Sequence, residues 1–272
     1  MLMSMLIEVW GSYGCFTRPE MKTERVSYDM PTPSAARGLV EAIYWHPGLR
    51  YTVDRIYLLK PFGLDPVDEV STEEYTQRPI RFTNIRRNEV KSTLSARSAR
   101  TVMERGKGEL YLCTSDDIQQ RAALLLRDVR YVIEAHFDMT SQAAPGDNPG
   151  KFQDIVKRRI KKGQFYHQPC FGCREFPAHF RWCEELPPCP KELLGERDLG
   201  WILWDMDYTN PEDIRPLFFR GTLRDGVLEV PRPGKWGGAG MILQALTDYY
   251  GDTLRTSTQQ VKTTAFRMEP NK

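Results

Sequence analysis

The run from Arg121 to Met139 constrains this chain more than any other stretch. Val129, Tyr131, Ile133, Ala135 and Phe137 fall on one side of it; Arg130, Val132, Glu134 and His136 fall on the other. A period of two is the signature of a β-strand. The segment is well beyond the usual strand length of about 5–6 residues, so a sheet must be built around it. Two amphipathic helices can cover that sheet. The first follows Thr32, an N-cap residue, with Pro33 at the first helical position. Ala35, Ala36, Leu39, Val40 and Ile43 give it one apolar face, and Pro47-Gly48 stop it just after Tyr44-Trp45-His46. The second runs from Lys151 to Lys162, with Phe152, Ile155, Val156 and Ile160 as its stripe, and Gly163 closes it.

Further strands are expected at Met5–Trp10, Tyr51–Lys60 and Ile80–Ile85, and around Cys170 to Phe180. Another helical stretch starts at Ser92 and reaches about Arg105. The resulting order is an α+β fold: a ferredoxin-like (RRM-like) βαββαβ domain over residues 1–182, with an insertion at about 62–118. From Leu199 the pattern is all-β, with an Asp225-Gly226 turn, which predicts a small antiparallel β domain over 183–232. Residues 233–272 read as a partly flexible tail. Gly234 to Gly240 lacks the strand, helix and lysine of a phosphate-cradling loop, and no internal repeat is visible.

Charge is local rather than global, since the net formal charge is only +2. Residues 62–78 are acidic; Arg81 to Arg100 then carries six bases against Glu89 alone. The Lys151–Lys162 helix places six more bases around its apolar stripe, with Asp154 as its one acid. Runs of this kind, with Arg18, Lys22 and Arg25 in an aromatic loop, suit a polyanion that is tracked by its phosphates and stacked upon. Phe16, Tyr28 and Trp45 are the expected stacking rings. No apolar run reaches membrane-spanning length and no signal peptide opens the chain, so a cytoplasmic location without membrane contact is expected. Six cysteines then stand as reduced thiols. Cys170-Phe171-Gly172-Cys173 with Cys183, Cys189 and His167 only half resembles a zinc site, because the second pair is too widely spaced.

The histidines are His46, His136, His167 and His179, and no pair has helical metal-ligand spacing. There is no nucleophile elbow and no carboxylate cluster of a two-metal nuclease. No metal and no cofactor are expected. If the chain cuts a phosphodiester, RNA offers a route without metal, because its own 2′-hydroxyl attacks the adjacent phosphate. The protein then aligns that hydroxyl, moves protons and stabilises the phosphorane charge.

Several motifs in one order carry a family resemblance. They are Leu6 to Lys22, Pro31 to Gly38, Glu41-Ala42-Ile43-Tyr44-Trp45, Ile85 to Val90, Leu126 to Val129, Gly150-Lys151 and Asp198 to Trp201. The chain resembles the fifth CRISPR-associated (Cas) family in its type I-C form. That resemblance implies an endoribonuclease that cuts CRISPR repeat RNA without metal and stays on the 5′ handle of the guide. It would do so within the Cascade surveillance complex, beside the type I-C backbone and large subunits, and meet target DNA only through that complex. The alternative is a subunit that holds the handle without cutting. The family's catalytic tyrosine falls on Tyr44 and its catalytic lysine on Lys151. Where some members carry a histidine next, this chain has Phe152. His46 and His167 are the candidate proton carriers, while His136 and His179 read as structural. The expected RNA-binding residues are Phe16, Arg18, Lys22, Arg25, Arg37, Trp45, Arg86, Arg87, Arg158 and Arg159.

Overall fold

The computed structural model describes residues 4–21, 23–61, 80–90, 95–106, 111, 113–208, 210 and 214–232. In chain order the elements are β1 (Met5–Gly14), β2 (Arg25–Val26), α1 (Pro33–Ile43), β3 (Leu49–Leu58) and β4 (Arg81–Val90). They continue with α2 (Ala96–Arg105), β5 (Ile118–Met139), α3 (Pro149–Lys161), β6 (His179–Trp182), β7 (Glu196–Asp207), β8 (Arg215–Arg224) and β9 (Val227–Glu229). The fold is thus mixed, with a mostly antiparallel sheet and three helices among the described residues. None of these helices is long and apolar enough to cross a membrane. The acidic stretch 62–78, Lys22 and the tail 233–272 lie outside the described residues.

The sheet is assembled on β5, as its length demanded. The C-terminal part of β5 lies between β1 (Met5↔Ala135 to Gly14↔Leu126) and β3 (Leu49↔Met139 to Leu58↔Tyr131), both antiparallel. Its N-terminal part lies between β4 (Arg81↔Arg127 to Val90↔Ile118) and the parallel two-residue β2. The strand order is β6-β1-β5-β3-β9-β8-β7. Where β3 gives way to β4, Asp128 adopts φ 61°, a left-handed backbone rare outside glycine, asparagine and aspartate.

One face of this sheet is the core. Ile7, Val9, Tyr131, Ile133 and Ile56 meet Ala36, Leu39, Val40 and Ile43 of α1 and Phe152, Val156 and Ile160 of α3. Each such large apolar side chain stabilises the fold by roughly 1.5–3 kcal/mol. Thr32 caps α1 by accepting from Ala35 N at 3.2 Å, and Asn148 caps α3 by accepting from Lys151 N at 2.9 Å. The other face is charged but internally paired. Glu8, almost fully buried, accepts from Arg130 at 2.7 Å and Arg181 at 2.6 Å, which offsets its desolvation.

Several expectations need adjustment. α1 ends at Ile43, so Tyr44 is its C-cap in extended backbone, and Trp45 and His46 lie beyond the helix. The strand expected over Cys170–Phe180 is the four-residue β6, preceded by an isolated Cys170↔Pro177 bridge. β2 lies in what reads as loop. β9 pairs with β3, so hydrogen bonding runs unbroken from the first strands into β7–β9 across the expected 182/183 division.

Candidate active site at the ends of α1 and α3

Three pieces of chain converge beside the C-terminal end of α1. The first is the α1 exit itself: Tyr44, half buried, with His46 stacked beside it at 6.5 Å between ring centroids. The second is the N-terminal end of α3 with the turn before it. The third is the segment after α3, whose Tyr166 and His167 both donate their backbone N–H to the Ala42 carbonyl at 2.9 Å. The β3 start is clamped against the pre-α3 turn: a Cβ at Gly48 would sit 2.9 Å from the Ala143 Cα. Only glycine allows that approach, and it sets the position of His46 two residues earlier. Gly48 N–H donates to His46 Nδ1 at 3.0 Å, which leaves Nε2 to carry the hydrogen of the neutral ring.

Lys151 stands at the mouth of this arrangement, its side chain about half exposed. Its ammonium donates to Asp147 Oδ1 at 2.8 Å. The hydrogen bond to Asp147, with its negative charge, raises the Lys151 pKa, and the nearby Tyr44 adds to this. The same hydrogen bond, together with one from Ala144 N–H, holds Asp147 below the usual carboxylate range. Phe152 is fully buried beneath the site, 4.9 Å from the His46 ring and 6.4 Å from Tyr44. The Arg159 guanidinium lies over the Tyr44 ring at 5.1 Å and donates to the Ile43 carbonyl at 3.5 Å. A phenol, an imidazole and an ammonium therefore share one partly open corner, with a second cation behind the phenol. Such a set can hydrogen-bond a hydroxyl, pass a proton and stabilise an anionic phosphorus centre.

The remaining expected residues are placed unevenly. Trp45 is 57% exposed beside Tyr44, a free stacking surface. Arg158 and Arg86 are exposed and make no ion pair with the described residues. Arg87 is largely covered, donating to Thr23 O at 3.0 Å and to Glu89 at 3.3 Å. Arg18 lies over the Tyr28 ring at 4.5 Å, near Asp29. Arg25 is held by Glu175 at 2.6 Å and by the Cys173 sulfur at 3.2 Å.

Two expectations are corrected. Phe16 is buried, packed edge-on against Tyr131 and Phe171, and Tyr28 is buried too, so neither ring is open to a base. Both sit in a basic loop that folds back onto the sheet, where apolar burial outweighs exposure. Arg37 is engaged by Asp205 and Glu41, tying α1 to β7 rather than facing a phosphate. His136 is buried against Asp54 at 2.5 Å, and His179 stacks on Trp10 at 5.8 Å. Among the described residues, no group of three or more His, Cys, Asp or Glu side chains is arranged to hold a metal. Asp147 was the residue missed by the sequence reading; its signal was an acid four residues before Lys151, the spacing of a helical ion pair.

The family model described as CRISPR-associated protein (Cas_Cas5), in its Cas5d form, matches residues 4–231. The chain belongs to the Cas5d family. A relative from Mannheimia succiniciproducens named "CRISPR pre-crRNA endoribonuclease Cas5d" is 46% identical over 230 residues, covering 83% of this chain and 93% of the relative. A second, of the same name, from Thermus thermophilus is 38% identical over 247 residues, covering 83% and 90%. A solved CRISPR-associated protein superposes with a TM-score of 0.55 at 19% identity, covering 86% of this chain and 95% of its own. A functionally uncharacterized Streptococcus mutans protein does so with a TM-score of 0.56 at 16% identity and the same coverage. These two likenesses speak to the fold of this Cas5d-family chain.

Proposed function

We propose that this chain is a CRISPR repeat-RNA endoribonuclease that works without a metal ion and remains on the 5′ handle of its product. In this reading it serves as a subunit of a type I-C Cascade complex, against the backbone and large subunits, and meets target DNA only through them. The observation that carries the proposal is the meeting of Tyr44, His46 and Lys151 at one corner, in a chain whose relatives are named for pre-crRNA cleavage. Tyr44 hydrogen-bonds and orients the attacking 2′-hydroxyl; a phenol is a poor base at neutral pH, so orientation is its share. The Lys151 ammonium neutralises charge on the phosphorane. His46, whose Nδ1 accepts from Gly48 N–H, presents its Nε2–H as a hydrogen-bond donor to the phosphorane or the departing 5′-oxygen. Its ring lies against Phe152, where some family members carry their histidine, so the imidazole arrives from the α1 exit rather than from α3. His167, hung from the Ala42 carbonyl, takes the 2′-hydroxyl proton as attack begins and returns it to the departing 5′-oxygen. Arg158, Arg159, Arg86 and Trp45 hold the flanking RNA.

The four-strand order β6-β1-β5-β3, with α1 and α3 as the two connections on one face, supports a ferredoxin-like assignment for this part of the chain. The β7–β9 ribbon would then be the second, smaller unit. The deciding experiment incubates purified protein with its own repeat RNA in EDTA. The expected products carry 5′-hydroxyl and 2′,3′-cyclic phosphate ends. A strict Mg²⁺ requirement or 5′-phosphate ends would overturn the mechanism. Binding without any cleavage would favour a handle-holding subunit, a reading to which the buried Phe152 lends weight.

A further inference from the structure

At the end of β1, two thiols lie beside the Arg25 guanidinium, and a third, Cys170, lies close to one of them. Cys15 closes β1 and is fully buried, while Cys173 is partly exposed in the loop before β6. The two backbones are pinned together: Cys15 N–H donates to Phe171 O at 3.0 Å, and a Cβ at Gly172 would fall 2.0 Å from Cys15 O. Gly172, at φ 78°, is thus demanded by both contact and conformation. Arg25 of β2 donates to the Cys173 sulfur at 3.2 Å, and Cys15 Sγ lies 3.5 Å from Thr17 Oγ1. Cys173 Sγ approaches the Cys15 carbonyl oxygen at 3.7 Å; the interaction between the two thiol side chains, with the guanidinium, brings Cys173 down to about 7 and pushes Cys15 far up. Cys170 is raised mainly by its own burial.

We propose that Cys173 is a reactive thiolate for peroxide-class oxidants, activated by Arg25, with Cys15 as the partner that completes a disulfide. A thiolate beside a guanidinium and open to solvent is the kind that reacts selectively. Cys173–S⁻ attacks one oxygen of hydrogen peroxide; the O–O bond breaks, giving Cys173–SOH and hydroxide. Sulfur is oxidised and peroxide reduced by two electrons. Oxidation removes the Cys173 thiolate whose side-chain interaction and charge hold the proton on Cys15; burial still opposes its ionisation, and Arg25 still favours it. As the Cys15 sulfur attacks the Cys173 sulfur, the Cys15 proton passes to the departing hydroxyl, so the S–S bond forms, the S–O bond breaks and water leaves. The bond would fasten the end of β1 to the loop before β6 and leave Arg25 paired with Glu175 alone.

The test uses the full chain, fully reduced and then exposed to hydrogen peroxide. Non-reducing peptide mapping should recover a Cys15–Cys173 linked peptide. Cys15→Ser should instead trap Cys173 as a sulfenic acid that reacts with dimedone. The rate of Cys173 alkylation by iodoacetamide should rise with pH about a midpoint near 7. Arg25→Gln should move that midpoint up and slow alkylation at neutral pH several-fold. Circular dichroism confirms that each variant is folded. A Cys170–Cys173 bridge, or faster oxidation of the exposed Cys113 and Cys189, would overturn the assignment. So would an alkylation midpoint at an ordinary thiol value.

Discussion

Phe152→Ala tests the architecture of the active corner through its floor. The ring is 1% exposed and touches three others: His46 at 4.9 Å, Tyr44 at 6.4 Å and Phe137 at 6.5 Å between centroids. Removing it deletes a buried aromatic and leaves a cavity between α3 and β5, at a cost of about 3–5 kcal/mol. The better helix propensity of alanine recovers less than about 0.7 kcal/mol of that. For a chain of this size each kcal/mol moves Tm by about 2–4 °C, so the fall should be about 6–20 °C. Urea denaturation should show a lower midpoint at an unchanged slope. Phe152→Leu keeps most of the volume and should cost about 1 kcal/mol or slightly more. The ring is also the surface on which His46 rests, so Phe152→Ala should lose cleavage at temperatures where it is still folded, while repeat-RNA binding holds. A stability loss below about 1 kcal/mol would refute the packing argument. Undiminished cleavage in the folded variant would refute the link to His46.

Four further outcomes are expected. Lys151→Ala should reduce cleavage in EDTA by about 10²–10³, as loss of one oxyanion-stabilising group does, with binding within a few-fold. Asp147→Asn should keep a side-chain oxygen to accept from Ala144 N–H but remove the charge that raises Lys151; the ammonium then deprotonates at lower pH, and the alkaline limb of the pH–rate profile should shift down, whereas an unmoved limb would dissociate Lys151 from the chemistry. Replacing the exposed Arg86 and Arg158 together should lower the salt slope of RNA binding by up to about 2, measured as log K against log salt. Arg37→Ala should act on stability rather than RNA affinity, since its partners are Asp205 and Glu41; a reduced salt slope would place RNA there after all.

Much of this was legible in residue order, for identifiable reasons. β5, α1 and α3 announced themselves because burial on one face imposes a period, and because Thr32, Pro33 and Gly163 punctuate the helices. Phe152 was readable as a core residue for the same reason. β2 was not, since two residues in a parallel bridge carry no period. β6 was misplaced because the Cys170–Pro177 bridge mimics a strand end without continuing it. Phe16 and Arg37 were misread because composition alone does not say which side of a loop turns inward. The partner of Arg37 lies 168 residues away, a relation that no local pattern records. Asp147 was visible as an acid before a lysine but had no stated purpose until the turn that holds it was seen.

Building the sheet on β5 also sets when the protein can form. Met5 must wait for Ala135, and β3 and β4 wait for the same strand. At a synthesis rate of about 5–20 residues per second, β1 stands complete but unpaired for on the order of ten seconds. During that time its apolar Ile7 and Val9 and its bare backbone edge are open to other chains. The β3 edge stays open longer, until β9 emerges nearly a hundred residues after β5 is complete. Contacts this distant in sequence make folding slow. For a nascent chain of this kind, the interval before residue 139 is the dangerous one, and a chaperone that covers strand edges would shorten the risk more than any stabilising mutation in the finished core.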